Sequence, residues 1–120
     1  MLLIFKGDTS VADTARKLGE MLYATGTLPG NAFVETFGQT GVETNEKIDE
    51  VLRQGGGILF IHNAYNLADD SIATLITAME NNQDNLCVIM AGNSKKMTHF
   101  INKATPGLIS RIICYLDFPN

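Results

Sequence analysis

Gly55-Gly56-Gly57-Ile58-Leu59-Phe60-Ile61-His62-Asn63 sets four large apolar residues in a row between a glycine triplet and a polar pair. Strict alternation of polar and apolar residues would mark a strand with one wet face. A short unbroken run bounded by glycine predicts instead a strand covered on both faces. Leu86-Cys87-Val88-Ile89-Met90-Ala91 has the same character. Leu2-Leu3-Ile4-Phe5, Ala32-Phe33-Val34-Glu35-Thr36-Phe37 and Ile112-Ile113-Cys114-Tyr115-Leu116 supply three further strand candidates.

Between these runs the period lengthens to that of a helix. Val11, Ala15, Leu18 and Leu22 share one face of a first helix, which Gly26, Pro29 and Gly30 end. After a loop over Gly38 to Glu43, Thr44 reads as the N-cap of a second helix with Ile48, Val51 and Leu52 inward. Asp69 and Asp70 are expected to cap a third, whose stripe is Ile72, Leu75, Ile76 and Met79. A shorter helix is expected over Lys95 to Asn102, and Pro106-Gly107 should break the chain before the last strand. Strands that alternate with helices and are apolar on both faces predict one α/β domain over residues 1–120, a three-layer α/β/α arrangement on a parallel sheet. Ligand sites of such domains lie beyond the carboxyl ends of the strands. Here those ends are Lys6 to Ser10, Gly38 to Glu43, His62 to Tyr65 and Gly92 to Lys95.

Composition narrows the partners. The 120 residues carry a net charge of −4, with both signs mixed and no basic cluster, which argues against a nucleic-acid groove or an anionic membrane surface. No apolar run approaches the roughly 20 residues of a spanning helix. Met1 to Lys6 is too short for a signal peptide and has no basic residue ahead of the apolar run, so a cytoplasmic protein is expected. Cys87 and Cys114 each sit in an apolar run and read as free buried thiols. Two histidines without ligand spacing give no reason to expect a metal site.

The segment Gly56-Gly57-Ile58-Leu59-Phe60-Ile61-His62-Asn63-Ala64-Tyr65 resembles the Walker B region of one AAA+ ATPase family, that of red-type rubisco activase and stage V sporulation protein K. That family reads Gly-Gly-Val-Leu-Phe-Ile-Asp-Glu-Ala-Tyr there. The likeness runs on through Ile72 to Gly92, resumes at Pro106-Gly107-Leu108-Ile109-Ser110-Arg111, close to the family's Pro-Gly-Leu-Arg-Ser-Arg, and ends at Asp117-Phe118-Pro119. Upstream it includes Phe37-Gly38-Gln39 through Leu52. The resemblance implies a P-loop NTPase-like AAA+ core, five parallel strands in the order 5-1-4-3-2. The first strand would then separate those carrying Cys87 and Cys114, against a disulfide. The family's helical lid would begin where this chain stops, so none is expected here.

The departures fall on the positions the resemblance makes catalytic. A P-loop reads Gly-x-x-x-x-Gly-Lys-Ser/Thr, so that backbone N–H groups cradle phosphate, Lys reaches the β/γ-phosphates and the hydroxyl holds magnesium. This chain has no Gly-Lys pair. In the matching stretch, Gly7-Asp8-Thr9-Ser10-Val11-Ala12-Asp13, Val11 falls at the Lys and Ala12 at the hydroxyl, and Asp8 would repel a triphosphate. His62 replaces the magnesium-holding Asp of Walker B, and Asn63 the Glu that activates water. A histidine is a poor ligand for magnesium, and an amide is no base at neutral pH. The family's pore-loop aromatic falls at Thr40, and Ile109 replaces the first Arg of Arg-Ser-Arg.

The surviving candidates each have a plain reading beside the functional one. Gly7, Asp8, Thr9 and Ser10 form either an anion-binding loop or a strand-to-helix turn. His62 and Asn63 are either a new polar site or an ordinary strand end. Asn93 stands near the family's sensor position but reads as a turn residue. Arg111 keeps the place of the finger that AAA+ subunits present to a neighbour, or makes a structural ion pair. His99 receives no role. The expected function is a catalytically inactive AAA+-like domain that binds protein, in an AAA+ assembly or as the silent module of a longer AAA+ chain, with no cofactor. The alternative is an ATP- and magnesium-binding ATPase with an unusual phosphate loop. A phosphoacceptor domain is disfavoured, because only Asp8 stands as a carboxylate at a strand end.

Overall fold

The apolar runs sort their side chains between two cores. In β3 (Gly57–His62), Leu59 and Ile61 enter one core and Ile58 and Phe60 the other. In β4 (Leu86–Gly92), Leu86, Val88 and Met90 are parted in the same way from Cys87, Ile89 and Ala91. Period-two geometry sends successive residues to opposite faces, so a strand between two apolar layers has no polar position to spend. Each fully buried Leu, Ile or Phe contributes roughly 1.5–3 kcal/mol over its exposed state.

The structure, a computed structural model, describes residues 1–38 and 41–119. With β1 (Leu2–Lys6), β2 (Ala32–Phe37) and β5 (Ile112–Asp117), the strands form one parallel sheet in the order β2-β3-β4-β1-β5. This is the order 5-1-4-3-2 read from the other edge. One face packs on α1 (Val11–Ala24) through Val11 and Ala15. The other packs on α2 (Gly41–Arg53), α3 (Asp69–Asn81), α4 (Ser94–Asn102) and the short α5 (Pro106–Ile109), through Ile48, Val51, Leu75, Met79, Met97 and Leu108. Among the described residues no helix is long and apolar enough to cross a membrane.

Several local expectations are corrected. The second helix starts at Gly41, inside the expected loop, so Thr44 is a buried residue of its first turn and not its cap. The N-cap of α3 is Ala68; Asp69 and Asp70 lie in the first turn, where their charge still suits the helix end, and Asp70 Oδ1 accepts a hydrogen bond from the Ser71 N–H. Helix α4 begins at Ser94 rather than Lys95. Pro106-Gly107 opens α5, because proline costs nothing at a first helical position and the Thr105 hydroxyl caps the Leu108 N–H. Ala64–Asn66 is a 3₁₀ turn. Cys87 is buried, but Cys114 is only half-buried, since β5 is an edge strand; both thiols are free, and β1 lies between them. Thr40, the pore-loop position, lies outside the described residues.

Candidate functional site

The carboxyl ends of β1, β3 and β4 meet at a cleft of about 280 Å³, lined by Gly7, Asp8, Ser10, Asp13, His62 and Asn63 among others. The fold thus brings the first-loop candidates and the His62–Asn63 pair to one place. The described residues that line the cleft include two carboxylates, Asp8 and Asp13, and neither Lys nor Arg.

The first loop is held by backbone bonds from distant segments. The Gly7 N–H donates to the Gly92 carbonyl (2.8 Å). The Asp8 and Thr9 N–H groups both donate to the Pro119 carbonyl, at 3.0 and 2.8 Å, and the Phe118 N–H donates to the Lys6 carbonyl at 2.6 Å. The residues after β5 therefore lie directly on the loop. Gly7 makes that approach possible: its φ is +130°, and a Cβ there would stand 2.6 Å from the Phe118 carbonyl carbon. Ser10, the N-cap of α1, adopts φ +64° without a side-chain cap. Asn63 is the other non-glycine residue with positive φ among those described, at +51°. Such outliers gather at functional or tightly constrained sites.

His62 does not hang free in the cleft. Its Nε2 lies 3.0 Å from Glu35 Oε1. An ionised carboxylate only accepts, so Nε2–H is the donor. Phe37 stacks on the imidazole at 5.0 Å between centroids, and Phe60 meets it edge-on at 4.6 Å. The other oxygen of Glu35 accepts from Arg16 Nη2 at 3.2 Å, so one carboxylate joins α1, β2 and β3. Nothing in the sequence announces Glu35 as a partner. It becomes one through the parallel register that sets Phe37 beside His62.

Neither Asn93 nor Arg111 lines the cleft, although Asn93 directly follows Gly92, which does. The Asn93 side chain is the N-cap of α4, where its Oδ1 accepts from the Lys95 and Lys96 N–H groups at 3.0 and 3.2 Å. Arg111 precedes β5 at the amino end of the sheet, opposite the cleft; it pairs with Glu80 and donates from Nη1 to the Gly107 carbonyl (2.6 Å). A contact between Arg111 and a cleft of this kind would have to be made with another molecule.

The sheet order, the helices on both faces and the cleft over the strand ends define a AAA+-type P-loop NTPase fold. A RuvB mutant of Thermotoga maritima superposes with a TM-score of 0.62 at 15% identity, over 97% of this chain and 37% of that one. By sequence, the chain belongs to the family of stage V sporulation protein K and red-type rubisco activase. It is 33% identical to the stage V sporulation protein K of Bacillus subtilis over 98% of its own length and 41% of the relative's. It is 32% identical to the chloroplastic ribulose bisphosphate carboxylase/oxygenase activase of Cyanidioschyzon merolae, over 93% of its length and 43% of the relative's. The chain thus spans about two fifths of the length of these relatives. No family profile matches it.

Proposed function

We propose that this chain is a AAA+-like module that does not hydrolyse ATP and works through contacts with other proteins, within an AAA+ assembly or beside an AAA+ domain of a longer polypeptide. The observation that carries the reading is the first loop, whose Asp8 and Thr9 N–H groups both end on the Pro119 carbonyl. A phosphate cradle needs such amides aimed at its ligand.

Charge points the same way. A triphosphate in the cleft would face Asp8 and Asp13 with no lysine or arginine among the described lining residues. Two unit charges of like sign 4 Å apart repel by about 4 kcal/mol near a protein surface. Magnesium favours hard oxygen ligands, whereas His62 offers an imidazole whose Nε2 is bonded to Glu35. ATP and magnesium therefore do not fit these residues. One relative is named as the activase of another enzyme, which accords with a chain that works on a protein partner.

Thermal unfolding with and without millimolar ATP and magnesium tests the reading. A ligand at a hundredfold excess over its dissociation constant stabilises by about 2.7 kcal/mol. For a domain of this size that is on the order of 10 °C. The expected result is an unchanged melting temperature. A rise of that order would replace this reading with an ATP-binding protein that has an unusual phosphate loop.

A further inference from the structure

We propose that the groove between α3 and α4 is a docking site for an acidic amphipathic helix of a partner protein. The inference rests on the reading of the chain as a protein-contact module and names the chemistry of the contact.

The groove has a volume of about 1190 Å³ and shares no described lining residue with the strand-end cleft. Its floor is apolar. Leu67 and Leu108 are buried at its base, and Ile72 and Ile76 of α3 and Phe100 of α4 are half-buried along its walls. Ile72 and Ile76 stand one helical turn apart and present a ridge into which another helix can interdigitate.

Its rim is basic, against the sign of the chain. The protein has 13 acidic and 9 basic side chains, yet three lysines, Lys95, Lys96 and Lys103, line this groove against one carboxylate, Asp69. All three lysines are exposed. The salt bridges of lysine and arginine among the described residues are made by Arg16, Lys47 and Arg111, so none of these three lysines is held in one. Lys96 Nζ lies 5.1 Å from the centroid of the Tyr65 ring at the edge of the floor.

An apolar floor under an unneutralised basic rim is complementary to an apolar stripe flanked by carboxylates. On a helix, that means apolar residues at i, i+3, i+4 and i+7 with Glu or Asp on either side. The dimensions agree. At 1.5 Å per residue, nine-residue α4 offers a wall of about 13 Å. A helix about 10 Å wide and of that length fills on the order of 1,000 Å³, close to the volume of the groove. A nucleic acid needs a basic stripe that tracks its phosphates, and three lysines around an apolar floor do not form one.

The probe is a fluorescein-labelled helical peptide of about 14 residues, with leucines at the stripe positions and glutamates beside them. Its twin carries lysines in place of the glutamates. Fluorescence anisotropy with the 120-residue chain should show the acidic peptide binding at least about tenfold more tightly than the twin, with the difference shrinking between about 50 and 500 mM salt. The double variant Lys95→Glu/Lys103→Glu changes two exposed positions. It should remove or reverse the preference while its circular dichroism stays that of the parent.

Equal affinity for the two peptides, no acidic-peptide binding at about 1 mM, or an unchanged preference in a folded double variant overturns the proposal. So does a dimer seen by sedimentation that the variant dissolves, since the occupant is then a second copy. Binding to phosphatidylserine vesicles without binding to the acidic peptide assigns the lysines to a membrane surface and also overturns it. Absent peptide binding together with an ATP-insensitive melting curve removes the groove and leaves the contact-module reading standing. ATP stabilisation removes that reading whatever the peptide does.

Discussion

Substituting Gly7→Ala perturbs the contact on which the proposed function rests. At φ +130° an added Cβ stands 2.6 Å from the Phe118 carbonyl carbon and 2.7 Å from its Cβ, too close for either to remain in place. Left-handed backbone in a non-glycine residue costs about 1–2 kcal/mol. Displacing residues 118 and 119 also breaks three hydrogen bonds, those from the Phe118, Asp8 and Thr9 N–H groups. At a net value of about 0.5–1.5 kcal/mol each, and toward the low end where water replaces the partner, they add roughly 2 kcal/mol. The expected loss is about 3–4 kcal/mol, measured by urea unfolding. Gly26→Ala is the control: its φ is +79°, but nothing lies within 4 Å of the added Cβ. It should lose only the conformational part, about 1–2 kcal/mol. Hydrogen exchange should show the Asp8 and Thr9 amides protected in the parent and in Gly26→Ala, and exposed in Gly7→Ala. The reasoning fails if the two variants lose stability equally or if those two amides exchange alike in all three proteins.

Cys87 and the His62–Asn63 pair give the remaining expected outcomes. Burial pushes the Cys87 thiol from 9.0 up to about 12, so at about pH 8 an aromatic disulfide reagent should titrate one thiol of the folded protein, Cys114, and two after denaturation. The unfolded chain releases the Cys87 proton first, so its raised value is a stability loss that develops as pH climbs from 9.0 toward about 12, by about 1.4 kcal/mol per unit, and Cys87→Ala should flatten that slope in urea unfolding. The double variant His62→Asp/Asn63→Glu should show no ATP turnover in a phosphate-release assay, because it restores neither the phosphate-reaching lysine nor the loop amides. The new Asp also faces Glu35, which now holds His62 at 3.0 Å, so the variant should be less stable than its parent. Measurable turnover would show the first loop to be competent after all.

Where the sequence misled, local pattern and global position disagreed. Ile112 to Leu116 looks as apolar as an interior strand, yet Ile113, Tyr115 and Leu116 are 64%, 45% and 40% exposed on β5, at the sheet edge where the order 5-1-4-3-2 puts it and which the run's own composition does not show. Edge position is a property of topology, and no window of five residues contains it. Gly41 reads as loop by composition, yet a glycine near a helix start costs little there, and the helix extends back to it. Asp69 and Asp70 read as caps, but the helix already begins at Asp69, so Ala68 holds the cap position and both carboxylates fall in the first turn.

The sequence by itself determined the layers, the five strands, the four longer helices that alternate with them, and where the strands end. It could do so because burial on two faces and helical periodicity are written in residues a few positions apart. It also placed Gly7 to Ser10 and His62-Asn63 at facing strand ends. What surrounds them was decided only in three dimensions. Pro119 meets Asp8 and Thr9 across more than a hundred residues, Glu35 reaches His62 through the β2–β3 register, and Arg111 turns from the strand-end cleft to Glu80 at the opposite end of the sheet. The basic groove belongs with these, since its lysines lie in and just after α4 while its apolar lining is shared by α3, α4 and α5. Hydrogen bonds and charges act over a few ångströms of space, and along the chain those ångströms are dozens of residues apart, so only the folded chain brings them together.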